Sequence, residues 1–261
     1  MIRQAAVSNM FYPGDPQQLR QTLQTLLQPV SMQSVAPKAI IAPHAGYIYS
    51  GPVAASAYRR LETVRSSITR VVLLGPSHRV PLFGCACSGA TAFATPLGDI
   101  PLDQAAIESA TTLPFVKVMD QAHSLEHSLE VHLPFLQMAL DRFSLVPIVV
   151  GDCPQDQVAI LLEQLWGGEE TLIVISSDLS HYHDYETAKR LDAVTCQAIE
   201  SLDINKIDSQ HACGAVPLKG LLCLLKRKSL KATLVDCRNS GDTAGPRHEV
   251  VGYAAFVVEA Q

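Results

Sequence analysis

No stretch of the 261 residues approaches the roughly 18–20 consecutive apolar residues that a membrane-crossing helix needs. The 48% hydrophobic content is therefore expected to fill a core, enough for one large domain. An excess of positive charge is missing as well. With 20 Lys and Arg against 25 Asp and Glu, the net charge of -5 removes the electrostatic basis for a nucleic-acid partner. The basic run "KRK" at 226–228 reads as a solvated helix end. The opening "MIRQAAVSNMFYPGDP" has neither the apolar centre nor the cleavage site of a signal peptide, and a cytoplasmic location is the expectation. The seven cysteines include no CxxC pair and no regular spacing, which excludes a disulfide framework and predicts mostly buried thiols. Repeats, low-complexity tracts and linkers rich in Pro, Gly or Ser are absent, so nothing divides the chain, and residues 1–261 are read as one domain.

What the chain does have is a series of Val- and Ile-rich runs: 38–44, 70–78, 144–152, 171–181, 231–238 and 251–259. Their length and composition suit strands buried on both faces. Segments of helical period lie between them, among them "GPVAASAYRRLE", with Pro52 in the first turn, and "YETAKRLDAVTCQAIESL". This alternation predicts an α/β fold, a single domain with a mostly parallel or mixed central sheet flanked by helices. The stretch from Cys85 to Pro114 is short and irregular, as in a hairpin or an elaborated loop.

Three of the runs end alike. "IIAPH" delivers His44, "VVLLGPSH" delivers His78, and "IVISSDLSH" delivers Asp178 and His181. Ligands of open α/β sheets gather beyond the carboxyl ends of the strands, so neighbouring parallel strands would bring these groups to one crevice. Imidazole is the commonest protein metal ligand, and His44 and His78 form the leading pair. A third ligand is expected in "HACGAVP" (211–217): either Cys213, placed before a helix start that would lower its thiol pKa, or His211 two residues away. The other six cysteines sit in apolar or turn contexts and read as passive.

The segment "HSLEHSLEVHLPFLQMAL" (123–140) predicts a helix with Leu125, Leu129, Leu133 and Leu136 on one stripe and His132 at its margin. His123, Glu126, His127 and Glu130 fall on an adjoining polar stripe, and Pro134 kinks or restarts the helix. His123 and Glu130 are expected in solvent. Glu126, His127 and His132 either share that solvated face or orient metal-binding histidines and move protons. Tyr47, Tyr49, Tyr182 and Tyr185 are placed near the mouth of the crevice, although a helix capped near Asp184 accounts for residues 182–185 equally well.

Taken in order, "AAVSNMFYPGDPQQL", "APHAGYIYSG", "LGPSH", "EHSLEVHLPFLQ", "VPIVVGD", "SSDLSHYHDY", "ACG" and "GYAAFVV" run nearly end to end. In these pieces the chain resembles the Memo-like proteins, including the bacterial and archaeal members called AmmeMemoRadiSam system protein B. The resemblance implies a fold similar to that of class III extradiol dioxygenases, non-haem iron enzymes. It implies His44, His78 and Cys213 as metal ligands, Cys213 standing where those enzymes have a carboxylate. It implies His181 as acid and base, and Asp178 as a group that orients it or completes the pocket. Iron or copper is the implied metal, with zinc compatible with these ligand types. A functional link to a radical S-adenosylmethionine protein is implied too, and peptide recognition in animal relatives.

A thiolate in place of a carboxylate softens the site and sets an oxidisable sulfur beside it, which weighs against ring cleavage. The leading expectation is a metal-dependent oxidoreductase of an unknown small molecule. The alternative is a non-enzymatic module that uses the same crevice for a peptide or partner protein. A metal-free hydrolase with Cys213 as nucleophile and His44 or His181 as base ranks third.

Overall fold

Runs made of Val, Ile and Leu on both sides of a strand can be buried only if both sheet faces are covered. In the computed structural model, which describes residues 1–28 and 36–259, they form the centre of a mixed sheet. In chain order the strands are β1 (Ile2–Arg3), β2 (Pro37–Ala42), β3 (Arg70–Pro76), β4 (Cys85–Cys87), β5 (Ala92–Thr95), β6 (Gly98–Pro101), β7 (Val116–Val118), β8 (Ser144–Val150), β9 (Thr171–Ser176), β10 (His181–His183), β11 (Ala232–Asn239) and β12 (Val250–Glu259). The helices are α1 (Pro16–Leu26), α2 (Tyr47–Tyr58), α3 (Gln104–Ala110), α4 (Asp120–Ser124), α5 (Leu133–Ala139), α6 (Gln155–Gln164), α7 (Tyr185–Glu200) and α8 (Ala215–Lys228). None of the described helices is long and apolar enough to cross a membrane.

The main sheet runs β10-β12-β2-β9-β3-β8-β4-β7, with β11 on β12. Its centre, β2-β9-β3-β8, is parallel, and β12 and β4 flank it antiparallel. The α/β architecture with a mixed sheet and flanking helices agrees with the sequence reading. Ala42 stands beside Ser176 and Leu74 beside Ile175, so β2, β9 and β3 end at one level. The irregular 85–114 stretch contains the β5–β6 hairpin, which joins β1 in a small separate sheet. The run read as one strand to His181 stops at Ser176; His181 opens β10, which pairs antiparallel with β12.

Two helix readings change. Pro52 lies inside α2, which begins at Tyr47. As the sixth helical residue it lies past the unpaired N–H groups of the first turn, so its missing N–H leaves the Ile48 carbonyl without its helical donor. Residues 123–140 are not one helix. α4 stops at Ser124, a turn follows, and Pro134 restarts the chain as an early residue of α5, so Leu125 leaves the expected stripe and stands 65% exposed.

His123 and Glu130, expected in solvent, are both buried. The Glu130 carboxylate pairs with the Arg3 guanidinium and accepts from Ala6 N (2.7 Å), Val7 N (2.9 Å) and Tyr12 Oη (2.6 Å). Arg3 also donates to the carbonyls of His123 (3.0 Å) and Glu126 (2.8 Å), and so fastens the first strand to the loop after α4. The turn separates residues that a helix would have aligned, and the N-terminal segment covers them.

Two predictions follow from these buried groups. Glu130→Ala leaves Arg3 charged and unpaired, and should cost about 3–5 kcal/mol in urea unfolding, whereas Arg3→Met with Glu130→Leu should recover most of that loss. His123 is held by burial at about 4, below its ordinary 6.5. The unfolded chain therefore takes up a proton first, and stability falls as pH drops from 6.5 towards 4. His123→Gln should flatten that pH dependence of unfolding by about 1.4 kcal/mol per pH unit, one proton's worth.

Candidate metal centre

His44, His78 and Asp178 each arrive on a short segment past a strand end. His44 follows β2 by two residues, His78 follows β3 by two, and Asp178 follows β9 by two. Because the three strands are adjacent and end level, the rings meet: the His44 and His78 centroids lie 5.2 Å apart. Cys213 comes from the turn before α8 and reaches the same place, its sulfur 3.4 Å from His44 Nε2. His44, His78 and Cys213 offer ligand atoms that all lie within 4.8 Å of one another.

The Cys213 turn is seated on the end of β9. Cys213 N donates to the Asp178 carbonyl (3.3 Å), Asp178 N donates to the Cys213 sulfur (3.3 Å), and Gly214 N donates to Ser177 Oγ (3.0 Å). A methyl group at Gly214 would overlap the Ser176 carbonyl oxygen and stand 2.7 Å from Ser177 Cβ, so this approach requires glycine. On the other side, Ser128 Oγ donates to the Pro76 carbonyl (2.8 Å), and a Cβ on Gly75 would meet Leu129 at 2.8 Å. That contact sets the 126–129 turn against β3.

The hydrogen bonds fix which ring nitrogen of each histidine carries its proton. Ser176 Oγ donates to the Ser128 carbonyl (2.6 Å), so toward His44 Nδ1 (2.6 Å) it can only accept. His78 Nδ1 faces the Glu126 carboxylate at 2.9 Å, and an ionised carboxylate accepts only. His181 Nδ1 faces the Leu179 carbonyl at 2.8 Å. In each ring Nδ1 is therefore a donor, and Nε2 is the nitrogen left for another partner, which for His44 is the Cys213 sulfur.

Glu126 is buried and accepts from His78 N (2.6 Å), His127 N (3.0 Å) and Ser128 N (2.9 Å) besides the His78 ring. Burial alone would raise its pKa, but the bonds from the His78 ring and from the Ser128 and His78 amides outweigh it and hold the carboxyl at about 2. Burial, then the neighbouring His78 and His127, push His44 well below 6.5, so its ring is neutral. Asp178, which accepts from His44 N at 2.7 Å, is raised by burial, a shift that this bond only partly offsets. The thiol of Cys213 differs from the expectation of a lowered pKa: burial, and next the Asp178 charge, push it up, outweighing the donors that reach its sulfur.

The structure gathers some of the expected residues and leaves others apart. His127 joins the cluster, stacked on His78 at 4.6 Å and 26°, and His78, Glu126 and His127 form a second close group. Burial, then His78, lower its pKa. His181 lies near enough to interact electrostatically with both His44 and Asp178. His132 is elsewhere in the core, bonded to Tyr58 Oη at 2.9 Å and lowered by burial to about 3. Tyr47 is buried against Phe135 and donates to the Val131 carbonyl at 2.8 Å. His211 pairs with Asp208 at 2.8 Å instead of joining Cys213. Asp184 is the N-cap of α7, bonded to Thr187 N. Ser176 and Ser128, which set the His44 tautomer, escaped sequence reasoning; the paired serines of "ISSD" at a strand end were the available signal.

Comparison with known proteins identifies the family and the fold. The family described as Memo-like protein matches residues 3–257. A MEMO1 family protein of Aquifex aeolicus is 35% identical, covering 98% of both chains, and one of Archaeoglobus fulgidus is 33% identical, covering 98% of this chain and 99% of its own. The crystal structure of an uncharacterized protein from Escherichia coli K12 shares the fold at a TM-score of 0.54 and 12% identity, covering 85% of this chain and 99% of that one. The family match leaves out only the first two and the last four residues, and the chain belongs to the Memo-like protein family.

Proposed function

We propose that the chain holds one iron or copper ion through His44 Nε2, His78 Nε2 and Cys213 Sγ, and that this site serves redox chemistry on a small substrate. The observation that carries the reading is the common tautomer: two buried or half-buried rings spend Nδ1–H on Ser176 and Glu126, which keeps both Nε2 lone pairs for a ligand beside a thiol. A lone pair held neutral by burial, a sulfur, and a carboxylate anchored behind one of the rings suit a borderline-soft cation, with zinc as the redox-inactive competitor. Binding of a cation would displace the Cys213 proton. When bound, iron or copper supplies one-electron exchange.

The chain's own residues supply the rest. Glu126 keeps His78 oriented through two bonds, to ring and backbone. Asp178 binds the His44 amide, and its own backbone holds the Cys213 sulfur, so one residue ties two ligands together. His181, with Nδ1–H committed to Leu179, presents Nε2 as the group that accepts or returns a substrate proton.

A second reading rests on a separate observation. Ile48 and Tyr182 are 66% and 72% exposed, four residues after His44 and one after His181 in sequence, and Tyr182 holds a left-handed backbone (φ 62°). Large exposed side chains this close in sequence to two site residues suit a peptide or partner protein docked over the same crevice.

Elemental analysis of protein purified without oxygen should give about one iron or copper per chain. His44→Ala and His78→Ala should remove it with the fold intact by circular dichroism; folded wild-type protein that takes up no iron, copper or zinc on titration would end the proposal. Glu126→Gln should weaken metal affinity about 10–100-fold while the same metal remains bindable. His181→Gln should leave metal content unchanged, which separates a proton-handling group from a ligand. Loss of metal in that variant would move His181 into the ligand set. For the second reading, Ile48→Asp with Tyr182→Asp should abolish partner capture and leave metal uptake as in the wild type.

A further inference from the structure

Away from the metal centre, two further sulfurs stand in contact. Cys196 lies on α7 and Cys237 on β11, and the Cys196 thiol donates to the Cys237 sulfur across 3.8 Å. The two residues differ in access: Cys196 is buried at 3% exposure, while Cys237 is the exposed residue among the seven cysteines. α7 packs directly on β11, whose pairing partner in the sheet is β12. β11 also carries a register break between Leu234 and Asp236, immediately before Cys237, so the strand there is already irregular. Such a break lets a side chain turn without disturbing a continuous ladder.

A second pair, Cys85 and Cys153, also shares a side-chain bond, but both of its residues are buried, so neither offers an exposed partner. Cys87 is buried, Cys223 is half-buried, and Cys213 belongs to the ligand cluster. The bond from Cys196 lowers the pKa of Cys237, and giving that bond, together with burial, raises that of Cys196. The reachable sulfur is thus the better nucleophile, and the enclosed one is held against it.

We propose that Cys196 and Cys237 form an oxidisable thiol pair, with Cys237 the sulfur that meets a peroxide and Cys196 the one that resolves it into a disulfide. In the first step the Cys237 thiolate attacks one peroxide oxygen, the O–O bond breaks, and the leaving hydroxide takes a proton to become water. In the second, the Cys196 sulfur attacks the resulting sulfenic acid; an S–S bond forms, the S–O bond breaks, and a second water leaves. Two thiols lose two electrons and one hydrogen peroxide gains them. A dithiol reductant reverses the change. The link joins α7 to β11 and closes the segment that contains Cys213 and α8. One turn before Cys196, Asp192 accepts from Ser180 N at 3.0 Å, so the helix fastened by the link is also the one that holds the residue preceding His181. The inference does not depend on what the metal centre does.

The test is peptide mapping of the full-length protein, reduced, exposed to a small excess of hydrogen peroxide and then alkylated. The expected result is a Cys196–Cys237 linked peptide, two hydrogens lighter than its parts, that dithiothreitol separates. In Cys196→Ser, dimedone should label Cys237 as a sulfenic acid. In Cys237→Ser, the loss of free Cys196 thiol should slow at least roughly tenfold, because the buried sulfur has no access of its own. Wild-type protein in which Cys237 becomes a sulfinic acid while Cys196 stays alkylatable would overturn the proposal. So would a Cys237 that remains fully alkylatable after peroxide.

Discussion

The register of β2 against β9 is the constraint on which the candidate centre rests. With Ala42 set beside Ser176, the chain leaving β2 can place His44 Nδ1 on the Ser176 hydroxyl, and the chain leaving β9 can place Asp178 on the His44 amide. Parallel strands buried on both faces hold such a register firmly, because a slip would move every side chain to the opposite face and unpair the ladder. The strands are rigid and the segments past them are short, so the rings are positioned before any ligand arrives. Little freedom is left to lose on binding, which is the physical content of preorganisation.

That positioning depends on groups that never touch a ligand. Ser176 spends its proton on Ser128 and so can only accept from His44; Glu126 takes four donors and stays ionised despite burial. Glycine at 214 and at 75 lets two loops close on the strand ends from opposite sides. Each of these is a small interaction, on the order of 1 kcal/mol as a net hydrogen bond. Together they choose a tautomer, which is an all-or-none property. Burial works in the same direction, since a neutral imidazole is the form that the core tolerates and also the form with a lone pair to give.

Much of this was legible in the chain. Continuous Val/Ile runs announced buried parallel strands, and polar residues just past them announced a crevice, because strand length and composition are local properties. The 123–140 segment was misread because its leucine spacing mimics a helix, while the turn at 125–129 is imposed by contacts from Arg3 and β3, more than 50 residues away in sequence. Glu130 and His123 could not be placed without their distant cover, and the direction of the Cys213 pKa could not be read from a helix start alone, since the neighbouring Asp178 comes from the segment after β9. His132 and Tyr47 show the same limit: a histidine or tyrosine near a site in sequence can turn into the core to satisfy its polar tip.

The Arg3 clamp carries a consequence for how the protein is made. Arg3 precedes its partners, the carbonyls of His123 and Glu126 and the carboxylate of Glu130, by 120 to 127 residues. Its guanidinium must therefore wait for them while the intervening residues are synthesised, and the turn bearing Glu126 is locked only when that partnership forms. Assembly of the crevice is ordered in time, with a side chain made well before its partners acting as one of its last fasteners.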